Sequence, residues 1–176
     1  AQPPANGASS YAFTYGGTGP QDAPLLLQIQ ISDEKSLYSN IDQTGKANSP
    51  ATVLQALIDA NSNPQPGSPA ITFSKVQAAQ VGTLAGQGIT ANLPAGAQNP
   101  EEHFDIRLAQ LPPDKAVYIL ARGDATVWGK GQPVIGKMLD TLVIKPQNIP
   151  TPTVTPTLHP LLITATALQT QINGLT

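Results

Sequence analysis

Apolar and polar positions alternate most regularly in the middle of the chain, through Phe104–Gln132 (FDIRLAQLPPDKAVYILARGDATVWGKGQ). Phe104, Ile106 and Leu108 fall on one side and Asp105 and Arg107 on the other, the period-two pattern of a strand with one buried face. Leu111-Pro112-Pro113-Asp114 breaks this pattern, because a proline has no N–H to give to a ladder. Ala116–Ala121 then carries apolar residues on both sides, as a central strand does. The same reading predicts strands over Leu25–Ser32, Ile71–Val76, Ile89–Leu93 and Asp140–Lys145. In the first of these, Leu25, Leu27, Ile29 and Ile31 share one side and Gln28 and Gln30 the other.

Ser49–Asn61 has the helical period. Ser49 is placed to cap it, Pro50 fits the first turn where its missing N–H costs nothing, and Val53, Leu54, Leu57 and Ile58 form one stripe. Asn61 and Pro64 end it, and Asn61–Pro69 and Pro94–Pro100 read as loops. Gly82–Gly88 is glycine-rich but lacks the Gly-Lys-Ser/Thr ending of a phosphate loop, so it is expected to be a flexible connector.

The two ends read differently from the middle. Residues 1–24 are mostly Gly, Pro, Ser and Ala around an aromatic cluster, Tyr11, Phe13 and Tyr15, and are expected to form an extended N-terminal arm. Residues 25–145 then hold the folded domain. Pro146–Pro160 contains five prolines and favours extended polyproline II structure, a semi-rigid spacer. In the C-terminal arm beyond it, Leu161, Ala165, Leu168 and Ile172 fit a helical stripe, preferred here over a strand through Ile163, Ala165 and Ala167.

A family resemblance rests on the central residues. Asp114-Lys-Ala116-Val-Tyr118-Ile-Leu120 resembles the Asp-x-Ala-x-Tyr-x-Cys segment that opens strand F of immunoglobulin variable-type domains. Ala121-Arg122-Gly123-Asp124 resembles the start of the loop that follows, and Trp128-Gly129-Lys130-Gly131-Gln132 the Trp-Gly-x-Gly bulge that opens strand G. Leu120 stands where the family has its second cysteine, and the chain has no cysteine at all. The resemblance implies a mainly β fold, an Ig-like antiparallel β-sandwich without a disulfide. With the readings above, that gives a sandwich carrying one short helix and extended N- and C-terminal arms.

Composition narrows the function classes. Only 11% of the 176 residues are charged, while 40% are hydrophobic and 18 are proline, so the polar surface is built from Gln, Asn, Thr and Ser. A net charge of −2 with nine scattered Lys and Arg argues against nucleic acid or an anionic membrane as partner. No apolar run is long enough to span a bilayer, and Ala1-Gln2-Pro3-Pro4 lacks the charged start and apolar stretch of a signal peptide.

Candidate chemistry is sparse. Of the two histidines, His103 lies in Glu101-Glu102-His103-x-Asp105, where a strand sends His103 and Asp105 one way and Glu102 the other, so no metal site is expected. His159 lies in the proline-rich spacer. No Gly-x-Ser-x-Gly elbow and no thiol nucleophile are present, and an enzyme is not expected, nor a cofactor. Arg122-Gly123-Asp124 is similar to the tripeptide that matrix proteins show to integrins. Its expected place is a hairpin tip, where Gly123 and Asp124 also have a plain turn role.

These readings point to a structural subunit of a large assembly whose arms contact capsid or other assembly subunits, including copies of itself. The architecture resembles the cement or decoration proteins of tailed bacteriophages, which implies a place in the virion. The contact residues expected are Tyr11, Phe13, Tyr15, Leu161, Leu162 and Leu168. The alternatives are a secreted filament or surface-layer subunit that donates a strand, or an Ig-like adhesion or carbohydrate-binding module.

Overall fold

The computed structural model describes residues 9–15, 24–62, 69–96 and 100–144. The chain divides into two units, Ala1–Pro146 and Gln147–Thr176, and every described residue belongs to the first. The proline-rich spacer and the tail with Leu161, Leu162 and Leu168 lie outside the described residues.

Seven strands and three helices follow one another as β1 (Ser9–Tyr15), β2 (Leu25–Asp33), α1 (Glu34–Ile41), α2 (Pro50–Asn61), β3 (Thr72–Phe73), β4 (Gln77–Val81), β5 (Leu84–Leu93), β6 (Glu102–Leu111), β7 (Lys115–Asp124) and α3 (Ala125–Thr141). The fold is mainly β and wholly antiparallel, as expected. All the described strands lie in one sheet, ordered β1-β2-β7-β6-β5-β3, with β4 also on β5. Where an Ig-like sandwich would pack a second sheet, this one packs helices.

The pleat separates two cores. Leu27 and Ile29 of β2, Ala109 of β6 and Val117, Ile119 and Ala121 of β7 face Ile135 and Leu139 of α3. On the other side Ile89, Ile106, Leu108 and Ala116 face Leu37 and Tyr38 of α1 and Val53 and Leu54 of α2. One core takes a stripe of α3 and the other takes stripes of α1 and α2, so three amphipathic helices cover the middle of both faces.

The expected strand over Asp140–Lys145 is corrected: Asp140 and Thr141 end α3, and Leu142–Ile144 follow without regular structure. Ile144 is still buried in the α3-side core. Of the residues that resemble strands F and G, Lys115–Asp124 form β7. Trp128–Gln132 lies in the first turns of α3 rather than in a strand, because Asp124 caps a helix there whose Ile135 is buried, and Trp128 half-buried, against the sheet. Residues 9–15, expected within an extended arm, form a full edge strand on β2. The arm becomes a strand because its alternating sequence matches the seven open positions Leu25–Ile31.

Gly82–Gly88 is no flexible connector but a tight hairpin. Gly82 and Thr83 alone join β4 to β5, and Gly82 has φ +60°, the glycine-first arrangement of a two-residue hairpin turn. A Cβ on Gly82 would lie 2.3 Å from the Leu142 carbonyl oxygen. Gly86 is as confined, since a Cβ there would meet the Leu108 carbonyl oxygen at 2.5 Å.

Asp42, at the end of α1, is buried and ties the α1–α2 connection together. Its Oδ1 accepts from the Thr44 N–H (2.9 Å) and hydroxyl (2.6 Å), and its Oδ2 from the N–H groups of Lys46 (2.9 Å) and Ala47 (2.7 Å). The Thr44 hydroxyl, with the backbone donors behind it, holds this carboxyl down at about 2.

Two predictions follow from these joints. Gly82→Ala is expected to cost about 1–3 kcal/mol through the left-handed backbone and the Leu142 clash together. Gly45→Ala, at φ +68° with nothing within 4 Å, carries the backbone part alone and should cost less, as urea midpoints will show. Asp42 stabilises only as the anion, so its contribution is complete above the ordinary carboxylate value of 3.8 and lost as pH falls through about 2. Melting temperatures of wild type and Asp42→Asn should therefore differ at neutral pH and converge towards pH 2.

Candidate functional site

The aromatic cluster expected to make contacts is assembled by β1. Tyr11 pairs with Ile29, Phe13 with Leu27 and Tyr15 with Leu25, so the three rings continue the face that α3 covers further into the sheet. They lie beyond its reach. Tyr11 is 56% exposed, Phe13 49% and Tyr15 69%, and every residue of β1 is exposed. Three adjacent exposed aromatics on a sheet edge have no counterpart elsewhere among the described residues.

One flank of α3 meets β2. Gly131 sits on Leu25 of β2, so close that a Cβ would meet the leucine Cδ2 at 2.5 Å. The helical period places Val127, Val134 and Met138 on the same side as Gly131. Val134 is 57% and Met138 37% exposed. Sequence reasoning missed this pair because it read no helix there. The available signal was Trp128, Ile135 and Leu139 recurring at helical spacing after an Asp-Ala-Thr cap.

The second candidate is a shallow cleft of about 420 Å³ at the opposite side of the α3 face. Thr90 and Asn92 of β5 and His103 of β6 line it, with Trp128 and Gln132 of α3. The His103 and Trp128 rings stack with centroids 5.9 Å apart, and His103 Nε2 lies 3.5 Å from a Glu101 carboxylate oxygen. Asp105 is already engaged: the Arg107 guanidinium donates to both its oxygens, at 3.1 and 2.8 Å, and to the Gln80 carbonyl at 3.0 Å. Glu102 pairs with Arg122 at 3.8 Å on the other face. Among the described residues no serine or threonine hydroxyl bonds to the His103 imidazole, and no group of three His, Asp or Glu is set to hold a metal. The acids around His103 are thus split between a guanidinium and opposite faces of one strand, which the alternation along β6 dictates.

Arg122-Gly123-Asp124 is not displayed at a hairpin tip. Arg122 and Gly123 end β7, and Gly123 is buried between Leu25 and Trp128, where a Cβ would meet side-chain carbons at 2.9 and 3.0 Å. The Asp124 carboxylate caps α3 by accepting from the N–H groups of Thr126 (3.0 Å) and Val127 (3.2 Å). Among the described residues no helix is long and apolar enough to cross a membrane.

No protein-family model matches the chain, and no curated protein matches it in sequence. Among solved structures it is similar to the Pseudomonas aeruginosa protein PA94, of unknown function, at TM-score 0.48 and 14% identity over 79% of this chain and 85% of that one. It is also similar to LpqN of Mycobacterium tuberculosis, which is involved in cell envelope biogenesis, at TM-score 0.42 and 11% identity over 78% and 84% of the two chains. At these scores neither likeness bears on function.

The cap gives a direct test of what Asp124 does. Asp124→Ala should lower stability by about 1 kcal/mol by orphaning two helix N–H groups, and Asp124→Asn should restore most of it. Thermal melts of the three proteins will show this order.

Proposed function

We propose that the chain is a non-enzymatic structural subunit of a larger assembly and that β1 is its contact surface. The observation that carries this reading is an uncharged seven-residue edge strand with three exposed aromatics on one face. An open edge offers a row of backbone donors and acceptors to an added strand, and the side chains of alternate residues give that pairing its selectivity. Large apolar rings next to the open ladder supply burial that hydrogen bonds alone do not. In the version that composition points to, the assembly is a viral shell and the chain an auxiliary cement or decoration protein in the virion. The alternative is a secreted filament or surface-layer subunit, which the same open edge favours as a strand acceptor.

Limited chymotrypsin digestion with light scattering on the same dilute sample tests the proposal. A small species cut at Tyr11, Phe13 or Tyr15, around a resistant body, is the expected result. Large particles formed by the chain alone, with β1 protected, would move the assignment to the filament. A small species whose β1 resists as well as the body would sink the proposal, because β1 would then be an ordinary part of the fold.

A further inference from the structure

We infer that the strand added to β1 is β1 of a second copy of this chain, antiparallel and related by a two-fold axis through Ala12; this rests on β1 being the contact surface. Among the described residues the sheet has two edges, and only the β1 edge is a long unbroken strand. On the far side, β3 and β4 are short strands that share β5. Between them Ser74 breaks the line, its N–H donating to the Thr90 carbonyl (2.9 Å) and its hydroxyl accepting the Thr90 N–H (2.9 Å). Short, interrupted strands are how sheets avoid edge-to-edge pairing. β1 has none of these devices: it pairs with β2 over all seven residues without a bulge, and it contains neither proline nor charge.

The sequence of β1 fits itself. About an axis at Ala12, Ser10 faces Thr14 of the second copy, and Tyr11 faces its Phe13, twice over by symmetry. Ser9 faces Tyr15, so all seven residues are paired. Centring on Tyr11 or Phe13 instead leaves two residues of each strand unpaired. In such a pair the side chains opposite one another point to the same face, so the six aromatic rings form one stripe.

The absence of charge favours a second copy. A charge on a two-fold axis meets its own image, and an edge carrying charges of one sign repels its copy. Ser9–Tyr15 carries no charge, nor does Leu25–Ile31 behind it. Three half-exposed rings from each copy bury on the order of 600 Å² in all, about half of what a stable standard-size interface needs. The dimer is therefore expected to dissociate on dilution.

The native chain has no cysteine, so single labels are clean. Ala12→Cys and Gln28→Cys place nitroxides on paired residues of adjacent strands, on the face away from the aromatic rings. In concentrated solution the backbone separation between copies should be about 5 Å at position 12 and about 14–15 Å at position 28, one and three strand spacings. Ala12→Lys and Ala12→Glu should each weaken the dimer at least tenfold by light scattering, with the melting temperature of the body held. Mixing the two should restore a heterodimer. A dimer in which the position-12 labels are no closer than the position-28 labels, or two charge variants that fail to rescue one another, would overturn the inference. A chain that stays monomeric in concentrated solution while β1 is still cut by chymotrypsin would remove the second copy and leave the assembly reading standing. A dimer formed elsewhere, with β1 resistant in dilute solution, would remove both.

Discussion

Strand β7 lies in the middle of the sheet, with Val117, Ile119 and Ala121 turned to α3 and Ala116, Tyr118 and Leu120 turned to α1 and α2. Ala116, Val117, Ile119 and Ala121 have no exposed surface, and both neighbours, β2 and β6, are paired along their length. A strand buried on both faces joins two cores that would otherwise be independent, so a loss of packing on one side is felt on the other. The rest of the body is arranged around that constraint. Short helices close one face, one long helix closes the other, and the strands furthest from β7 are left for other work.

Helix α3 shows how strongly that burial acts. Its sequence, ATVWGKGQPVIGKMLDT, has three glycines and a proline inside it, all poor helix formers. It folds as a helix because Asp124 satisfies its first N–H groups and because Trp128, Ile135 and Leu139 cover the apolar half of β2 and β7. Gly131 has a separate role, since the Leu25 side chain packs against it and would have to shift to admit a Cβ.

Much of the sheet was legible in the sequence, for a physical reason. β2, β6 and β7 lie next to a core on at least one face, and their alternation or apolar runs record that directly. Helix α2 was legible from its cap: the Ser49 hydroxyl accepts from the Thr52 N–H at 3.3 Å while Thr52 Oγ1 accepts from the Ser49 N–H at 3.0 Å. α1 was missed because its only strong signal is the Asp33 cap, whose carboxylate accepts from the Ser36 N–H at 2.9 Å. α3 was missed because glycine and a resemblance to a Trp-Gly-x-Gly bulge outweighed a sparse stripe. The aromatic cluster of β1 was visible as residues but not as a strand, since nothing local distinguishes an arm from an edge. Only the open side of β2 makes it one.

The pairing of β2 with β7 joins residues about ninety positions apart, whereas β4–β5 and β6–β7 are joined by turns of two and three residues. Closing short loops costs less entropy than closing long ones, so the hairpins around β5 and β6 can form while β2 still lacks β7. During synthesis β1 and β2 emerge before the other described strands and wait for β7, the last of these. For that interval Leu27 and Ile29 are as uncovered as the three aromatics beside them. The strands that leave the ribosome earliest are thus the last to be sheltered, an order that pulsed hydrogen exchange reads strand by strand.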